Sequence, residues 1–167
     1  MGLNFKVQVF DVAEIYPNHL AMHEIPVFLA EMKAKPFDGL LNAKDVVITA
    51  DTIVSLYGEV ITKPANREEA IGMLCKLSGQ VHQVITGICL KSSGKQKTFY
   101  DISSVTFRDL KLSEIEYYVD HYQPYDKAGA YGIQEWIGFI GITGIAGSCF
   151  NVMGLPVHRL YEELEIF

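Results

Sequence analysis

The residues of this chain best suited to chemistry are an acid and a lysine that follow two neighbouring strand-like segments. Asp51 comes directly after residues 46–50, an unbroken apolar and largely β-branched run that is typical of a strand buried on both faces. Because an unpaired carboxylate is too costly to bury inside a strand, we expect Asp51 at the strand end, where the sheet opens onto a crevice. Lys63 follows an apparent hairpin through Tyr57 and Gly58. An acid and a lysine that face one cleft would suit a metal-bound phosphate, whereas the spacing alone fits a turn-capping Asp51 and a solvated Lys63 at least as well.

Three further polar residues could complete such a site. Glu14 lies in a polar loop after the first apolar segment and could join Asp51 as a second metal ligand, although alone it fits a solvated loop acid. Lys33 follows a short apolar helical face, where a solvated surface lysine is the default interpretation. Gln134 ends residues 126–134, a run in which two small-residue turns bracket an aromatic side chain. Its amide offers a donor and an acceptor that could read the edge of a base, or it is simply exposed in a tight loop.

Composition and charge limit the class of protein. With 167 residues, 49% of them hydrophobic, the chain suits one globular domain over residues 1–167. No apolar run approaches the roughly 20 residues that span a bilayer, so we expect no membrane partner. The net charge of −6 and the absence of a Lys- or Arg-rich block argue against polymeric nucleic acid as a partner, but not against a mononucleotide. Cys75, Cys89 and Cys149 are far apart and odd in number, which favours a reducing cytoplasm over a disulfide framework or a zinc site.

Apolar periodicity and capping residues predict a mixed α/β order with antiparallel hairpins and no domain boundary. The predicted strands are an opening segment at residues 5–9, the 46–50 strand, an antiparallel pair at residues 81–91 and 98–107, and residues 137–142. The predicted helices are residues 26–35, a helix capped by Asn66 that ends at Ser78 and Gly79, a helix capped by Ser113 and Glu116 that runs through Val119, and a last helix from Pro156.

The chemistry-bearing segments occur in the order of one known family. They read Asp-Val-Ala-Glu at residues 11–14, Leu-Ala-Glu-Met-Lys-Ala at 29–34, Ala-Asp-Thr-Ile-Val at 50–54, Thr-Lys-Pro at 62–64, and the runs at 126–134 and 151–156. Together they resemble the Maf nucleotide pyrophosphatases, also called septum-formation inhibitor homologues, over nearly the whole chain. The last two runs are the specific ones.

The resemblance implies a fold and an activity. The fold would be a long, curved mixed sheet with flanking helices and two lobes around a cleft, as in inosine-triphosphate pyrophosphatases. The activity would be hydrolysis of nucleoside triphosphates to the monophosphate and pyrophosphate. Residues 50–52 and 132–134 resemble the branch that prefers thymidine and uridine triphosphates, rather than the branch that prefers 7-methylguanosine triphosphate. A homodimer is also implied.

The resemblance assigns a role to each candidate residue. Asp51 would be the general base and a metal contact, and Glu14 would help it hold Mg²⁺ or Mn²⁺. Lys33 and Lys63 would balance the negative charge that grows on the phosphates. The same resemblance implies that Thr52 and Gln134 select the nucleobase.

One departure from the family leads to an alternative hypothesis. Family members carry a Ser-x-Ser-Pro-Arg-Arg loop ahead of the point where Met1 stands, and that loop supplies backbone amides and an arginine to the triphosphate. We therefore expect a chain that is N-terminally truncated relative to the family, with low activity. The alternative is a catalytically impaired nucleotide-binding homologue. A phosphatase that acts on monophosphates is a third hypothesis, which product identity would separate from the first.

Overall fold

The protein is built on one five-stranded sheet, seen in a computed structural model that describes residues 2–167. The strands are β1 Val47–Leu56, β2 Glu59–Ile61, β3 Val81–Lys91, β4 Gln96–Phe107 and β5 Ile142–Ala146. Their spatial order is β2-β1-β3-β4-β5, and every strand pair within the described residues is antiparallel. The predicted α/β class is confirmed, while the sheet is antiparallel where the resemblance implied a mixed one.

Helices cover both faces of this sheet. They are α1 Glu24–Ala34, α2 Arg67–Leu77, α3 Leu112–Tyr122, α4 Trp136–Gly141, α5 Cys149–Val152 and α6 Val157–Glu165, with short 3-10 turns at Lys35–Phe37 and Ala128–Ala130. α1 packs on β1 and β3, so it lies over the middle of the sheet.

Alternate residues of β1 and β3 pack against different helices. Ile53 and Ile85 lie opposite each other and contact Leu29 of α1. Their neighbours Val54 and Val84 face the other side, in the larger core with α2 and α3. Successive residues of a strand point to opposite faces, so two adjacent residues of β1 reach two different layers of the protein.

Local signals placed several elements correctly. Tyr57 and Gly58 form the β1–β2 hairpin with φ of 53° and 83°, the two positive values that a tight two-residue turn requires. Asn66 caps α2, and its side chain accepts a hydrogen bond of 2.9 Å from the backbone N–H of Glu69. The antiparallel pair of β3 and β4 is confirmed, and α1 begins at Glu24, two residues before the predicted start.

The opening strand predicted at residues 5–9 is wrong. Phe5, Val7 and Val9 are 82%, 79% and 84% exposed, and residues 2–17 contain no helix or strand. Alternating apolar residues form a strand only where a neighbouring strand supplies hydrogen bonds. The outer strands β2 and β5 make no such pair with this segment.

The strand predicted at residues 137–142 is also wrong, because most of that run is helix α4, and β5 begins only at Ile142. A short apolar run cannot be assigned to helix or strand by periodicity alone. The backbone N–H of Phe139 donates to the carbonyl of Glu135 at 3.2 Å, which is a helical turn. A side chain on Gly138 would collide with the carbonyl of Ile133, so glycine permits this turn to form against the preceding loop.

The cap predicted for α3 lies two residues too far along the chain, because the N-cap is Lys111 and not Ser113. The helix begins at Leu112, so Ser113 and Glu116 are already inside it. Glu114 is the acid at its start, and its carboxylate accepts a hydrogen bond of 2.9 Å from the backbone N–H of Lys111. Arg108 holds the same carboxylate with two hydrogen bonds of 3.0 Å.

Candidate active site

A cleft of about 360 Å³ contains most of the candidate residues, along a stretch of β1 that has a strand partner on one side only. β3 pairs with residues 47–55 of this strand, whereas β2 pairs only with residues 54–56. Residues 47–53 therefore have a strand partner on one side only. Because the cleft runs beside that edge, side chains from both faces of β1 border it. The lining includes Lys33, Asp51, Thr52, Lys63, Asp126, Lys127, Tyr131, Gln134, Met153 and Gly154.

Asp51 lies in the middle of β1, not at the strand end where we expected it. It stands directly opposite Gly87 of β3 and is buried. The strand continues through it because the ammonium group of Lys33 hydrogen bonds to its carboxylate, which removes the cost of an unpaired buried charge. The preceding run is also less buried than its composition predicted, and Ile48 is 39% exposed.

Two close contacts dock α1 on the sheet next to Asp51. A side chain on Gly87 would collide with the backbone of Pro26 and Val27, so this glycine lets the helix approach β3 directly. One turn further along α1, the hydroxyl of Thr49 donates a hydrogen bond of 2.7 Å to the carbonyl of Ala30. These contacts fix both the height and the rotation of the helix on the sheet.

The docked helix carries Lys33 into a chain of ion pairs. Lys33 follows Ala30 by three residues, so it projects from the same side of α1. Its Nζ hydrogen bonds to Asp51 and lies 3.0 Å from Oε1 of Glu14. The second carboxylate oxygen of Glu14 accepts a hydrogen bond of 2.7 Å from Nζ of Lys63. Two acids and two lysines from distant parts of the sequence therefore form one charge-balanced cluster.

Burial and pairing change the proton affinities within this cluster. Burial raises the pKa of the Asp51 carboxyl above its ordinary value, and the hydrogen bond from Lys33 offsets this only in part. Burial alone would lower the pKa of Lys33, but its hydrogen bonds to Asp51 and Glu14 raise it. Burial alone would raise the pKa of Glu14, but Lys63 and Lys33 together hold it below its usual range. Asp51 is thus the acid of the pair that takes up a proton more readily.

Thr52 reaches the cleft from the opposite face of β1. Its hydroxyl lies 2.9 Å from the hydroxyl of Thr86 on β3. Gly154, which follows α5, is close enough that a side chain there would lie 3.6 Å from Oγ1 of Thr52. The hydroxyl of Thr52 is thus paired with another uncharged group, whereas Asp51 on the opposite face is paired with the ammonium group of Lys33.

Gln134 is exposed on a loop that two buried tyrosines hold in place. The hydroxyl of Tyr131 lies 2.7 Å from Nε2 of His82, a buried side chain of β3. The hydroxyl of Tyr118 on α3 accepts a hydrogen bond of 3.1 Å from the backbone N–H of Gly132 and donates to the carboxylate of Glu135. The loop on both sides of Gln134 is therefore anchored, while Gln134 itself is exposed and lines the cleft.

Lys127 is a cleft residue to which the sequence analysis gave no role. Its Nζ lies 2.8 Å from the carboxylate of Asp126 and 3.3 Å from that of Glu135. Burial alone would lower the pKa of Lys127, but these hydrogen bonds raise it. The sequence signal that could have identified Lys127 is its position inside the specific run at residues 126–134. It brings a third ammonium group to the cleft.

The structure brings the predicted residues together without testing their roles. Lys33, Asp51, Lys63, Thr52 and Gln134 all line one cleft, and Glu14 joins them through its ion pairs with the two lysines. Three assignments remain predictions: the general base, the residues that balance the phosphate charge, and the residues that select the nucleobase.

The donor set suits a hard divalent cation. No group of three or more His, Cys, Asp or Glu side chains suited to a metal occurs among residues 2–167. Mg²⁺ commonly uses only one or two protein carboxylates together with substrate phosphates. Glu14 and Asp51 both pair with the ammonium group of Lys33, so these two carboxylates are the candidates to hold such an ion.

The cleft has the parts that hydrolysis of a phosphate ester needs. Asp51 is a buried carboxylate with a raised pKa, which suits a base that takes a proton from water. The lysines offer positive charge to phosphate oxygens. The polar groups on the Thr52 side can hydrogen bond to a base. These features are those of a nucleotide hydrolase.

Comparison with known proteins agrees with this class. Residues 1–167 match the family described as Maf-like protein. The chain belongs to the Maf family.

Several relatives bear the same name. A protein of Phocaeicola vulgatus named dTTP/UTP pyrophosphatase is 51% identical over 166 residues, which cover 99% of this chain and 86% of the relative. A protein of Parabacteroides distasonis with the same name is 50% identical over 168 residues, covering 100% and 87%. One from Flavobacterium johnsoniae is 46% identical over 164 residues, covering 98% and 84%.

Across residues 2–167, no helix has both the length and the apolar character that crossing a bilayer requires.

Proposed function

We propose that this protein is a nucleoside triphosphate diphosphatase that hydrolyses dTTP and UTP to the monophosphate and pyrophosphate. The observation that carries the proposal is the single cleft in which Asp51, paired with Lys33, lies beside the polar wall of Thr52. Relatives of about half-identical sequence over nearly the full chain are named for this activity, which supports it. The same similarity favours catalysis over the alternative of a nucleotide-binding homologue that has lost activity.

The reaction that fits the geometry is attack by water on the α-phosphorus. Asp51 accepts a proton from the water as the new oxygen–phosphorus bond forms, and the bond between the α-phosphorus and the bridging oxygen breaks. The electron pair leaves with pyrophosphate. Lys33 and Lys63 offset the charge that develops on the phosphate oxygens, since phosphoryl transfer depends mostly on positioning and charge stabilisation. Burial favours proton uptake by Asp51, which suits this role.

We further propose that Asp51 and Glu14 hold Mg²⁺ or Mn²⁺ when the nucleotide is bound. The metal would neutralise phosphate charge and lower the pKa of a bound water. Before substrate binds, Lys33 keeps the two carboxylates together. A triphosphate brings several negative charges to a cluster whose own charges cancel, and this imbalance is the physical reason to expect a divalent cation.

Base selection and the setting of the enzyme complete the proposal. Thr52 and Gln134 would contact the nucleobase, because both line the cleft and neither belongs to the Lys33–Asp51–Glu14–Lys63 cluster. Cys75, Cys89 and Cys149 are free thiols, which supports a cytoplasmic location. A homodimer and the absence of a polymeric nucleic acid partner stay predictions.

The test of the function is product identity across a substrate panel. The purified chain is incubated with Mg²⁺ or Mn²⁺ and UTP, dTTP, CTP, GTP or UMP, and both pyrophosphate and phosphate are measured. We expect pyrophosphate from UTP and dTTP at the highest kcat/KM. Release of phosphate from UMP would instead identify a monophosphatase, and nucleotide binding without either product would identify the inactive homologue.

A further inference from the structure

Thr52 is held from behind by a chain of buried oxygen atoms that the proposed reaction does not use. Its Oγ1 lies 2.9 Å from Oγ1 of Thr86. The hydroxyl of Thr86 in turn lies 3.1 Å from the backbone carbonyl oxygen of Asn151 in α5. Thr86 and Asn151 are fully buried, whereas Thr52 borders the cleft. The chain therefore runs from the cleft wall into the protein interior.

The direction of the two hydrogen bonds along this chain follows from its last member, the carbonyl of Asn151. A carbonyl oxygen can only accept, so the single hydroxyl proton of Thr86 points at Asn151. Oγ1 of Thr86 must then accept from Thr52, whose own proton points inward. In the reverse arrangement two oxygens would face each other at 3.1 Å with no proton between them. Leaving such a buried contact unsatisfied is costly.

The carbonyl at the end of the chain is itself fixed in place. It accepts a second hydrogen bond, of 2.9 Å, from the backbone N–H of Gly154. The side-chain amide of Asn151 donates to the carbonyl of Val84 and to the hydroxyl of Ser103, both at 3.0 Å. A threonine hydroxyl can rotate, but here the group that decides its direction is tied to β3, β4 and the Gly154 turn.

We infer that Thr52 offers the cleft only a hydrogen-bond acceptor, and that Thr86 is the positioning residue that sets this polarity. An acceptor at Thr52 selects nucleotides whose nucleobase carries a proton on the ring nitrogen of its pairing edge. Uracil and thymine have such a proton on N3, whereas cytosine at N3 and adenine at N1 have a lone pair that would face the lone pairs of Thr52. The inference deepens the proposed function and rests on its placement of the base beside Thr52.

This polarity predicts rejection of CTP and ATP but not of GTP. Guanine carries a proton on N1, so an acceptor at Thr52 does not exclude it. Discrimination against guanine must come from the size of the cleft or from Gln134. The polarity of Thr52 therefore separates uracil and thymine from cytosine.

The first test changes the chain behind Thr52 and leaves Thr52 itself intact. Thr86→Val keeps the shape of the side chain but removes the hydroxyl that accepts the hydrogen bond from Thr52. The hydroxyl of Thr52 then becomes free to donate a hydrogen bond to N3 of cytosine. We expect the ratio of kcat/KM for UTP to that for CTP to fall by about tenfold or more, because a mispaired polar group is what gives such discrimination its size. Thr86→Ser retains the hydroxyl and should keep the parent ratio. Thr143→Val makes the same chemical change on β5, away from the cleft, and should also keep it.

The second test uses the unaltered chain, so it holds even if Thr86→Val does not fold. Methylation of N3 removes the N–H group that would donate a hydrogen bond to Thr52, whereas methylation of C5 leaves it. We expect 5-methyluridine triphosphate to be hydrolysed with a kcat/KM close to that of UTP, and 3-methyluridine triphosphate to be rejected. Equal use of both nucleotides would overturn the inference, as would a folded Thr86→Val with the parent ratio.

Binding measurements separate this inference from the proposed function. The α,β-imido analogues of UTP and CTP are titrated into the parent and into Thr86→Val by calorimetry. Preference for the uridine analogue in the parent and its loss in the variant support the inference, even if the parent releases no pyrophosphate and the proposed function fails. Absence of any preference in the parent contradicts the inference, even if UTP is hydrolysed.

Discussion

Asp51 of β1 lies directly opposite Gly87 of β3, and this pairing links the candidate base to the docking of α1. Because Gly87 has no side chain, the backbone of Pro26 and Val27 can lie against the sheet at that point. The helix then brings Lys33 to Asp51. A glycine with no chemistry of its own therefore determines the position of a charged group in the cleft.

The first prediction tests this dependence with Gly87→Ala. A methyl group there meets the α1 backbone, which cannot move aside cheaply, so we expect a loss of about 1–3 kcal/mol in the free energy of unfolding. Displacement of Lys33 from Asp51 should also lower kcat by about tenfold or more, since small misplacements at a site are costly. Urea unfolding and the pyrophosphate assay measure the two effects.

Gly72→Ala is the matched control for this change. A side chain on Gly72 meets nothing within 4 Å in α2. Alanine inside a helix is more favourable than glycine by about 0.5–1 kcal/mol, so this variant should be slightly more stable and fully active. A Gly87→Ala protein as stable and active as Gly72→Ala would show that the close approach of α1 is not needed.

The second prediction concerns Asp51 as the base. Asp51→Asn keeps the shape but removes the proton acceptor and one negative charge beside Lys33. Loss of a positioned base costs about 10²–10⁴-fold in rate, so we expect a folded and nearly inactive protein. Asp120→Asn removes an exposed carboxylate that pairs with Arg67 outside the cleft and should keep full activity. Activity of Asp51→Asn within a few-fold of the parent would exclude Asp51 as the base.

How far the sequence predicts this structure depends on how local the signal is. The Asn66 cap and the Tyr57–Gly58 hairpin depend on neighbouring residues, and both are confirmed. The strand predicted at residues 5–9 needed a partner strand that a sequence pattern does not supply. The apolar, glycine-containing run at residues 137–142 fits a buried helix and a buried strand equally well, so packing decided it.

The site shows the same division between local and distant information. The strand pattern and the motif resemblance both indicated Asp51 and Lys63 as candidate cleft residues, and both residues line the cleft. The position of Asp51 in mid-strand could not be predicted, because it depends on Lys33, 18 residues earlier in the chain. The hydroxyl chain from Thr52 through Thr86 to Asn151 likewise joins three segments whose proximity only the fold creates.

The third prediction concerns Gln134 as a reader of the pyrimidine edge. Gln134→Ala removes both the donor and the acceptor of an exposed cleft amide whose loop is otherwise anchored by Tyr118 and Tyr131. We expect the preference for UTP and dTTP over GTP to fall in relative kcat/KM, because discrimination is a difference in transition-state binding. Gln96→Ala, on β4 outside the cleft, is the control. An unchanged preference profile would remove Gln134 from the base-contacting set.

The fourth prediction concerns the proposed metal. Chelation with EDTA should abolish pyrophosphate release, and added Mg²⁺ or Mn²⁺ should restore it. Glu14→Gln keeps the length of the side chain but removes one of two shared negative charges, so we expect the metal concentration for half-maximal activity to rise about tenfold or more. Direct binding of Mn²⁺ in the presence of a non-hydrolysable nucleotide gives a readout that does not depend on turnover.

Glu68→Gln provides the comparison, because Glu68 is an exposed acid at the start of α2. It should leave the Mn²⁺ affinity and the metal dependence of the rate unchanged. Identical metal titrations for Glu14→Gln and Glu68→Gln would assign Glu14 to charge pairing with the lysines alone. Full activity in EDTA would contradict the metal proposal itself.

The fifth prediction links the buried His82 to the pH dependence of stability. Burial lowers the pKa of His82 from 6.5 to about 4 in the folded protein. The unfolded chain therefore binds the additional proton first as the pH falls. The stability that comes from keeping His82 neutral is complete above about pH 6.5 and is lost as the pH falls toward about 4, by about 3 kcal/mol in total.

His82→Gln removes this titration while its amide can still hydrogen bond to Tyr131. We expect the free energy of unfolding of the variant, measured by urea titration from pH 7 to pH 4, to fall less steeply than that of the parent. His19→Gln, in an exposed turn, should follow the parent curve. Tyr131 lines the cleft, and its hydroxyl lies 2.7 Å from His82. A protonated His82 ring has no nitrogen left to accept a hydrogen bond from this hydroxyl. The same acid range should therefore also loosen the cleft loop that carries Gln134. Parallel curves for the parent and His82→Gln would mean that His82 does not resist protonation in the folded protein.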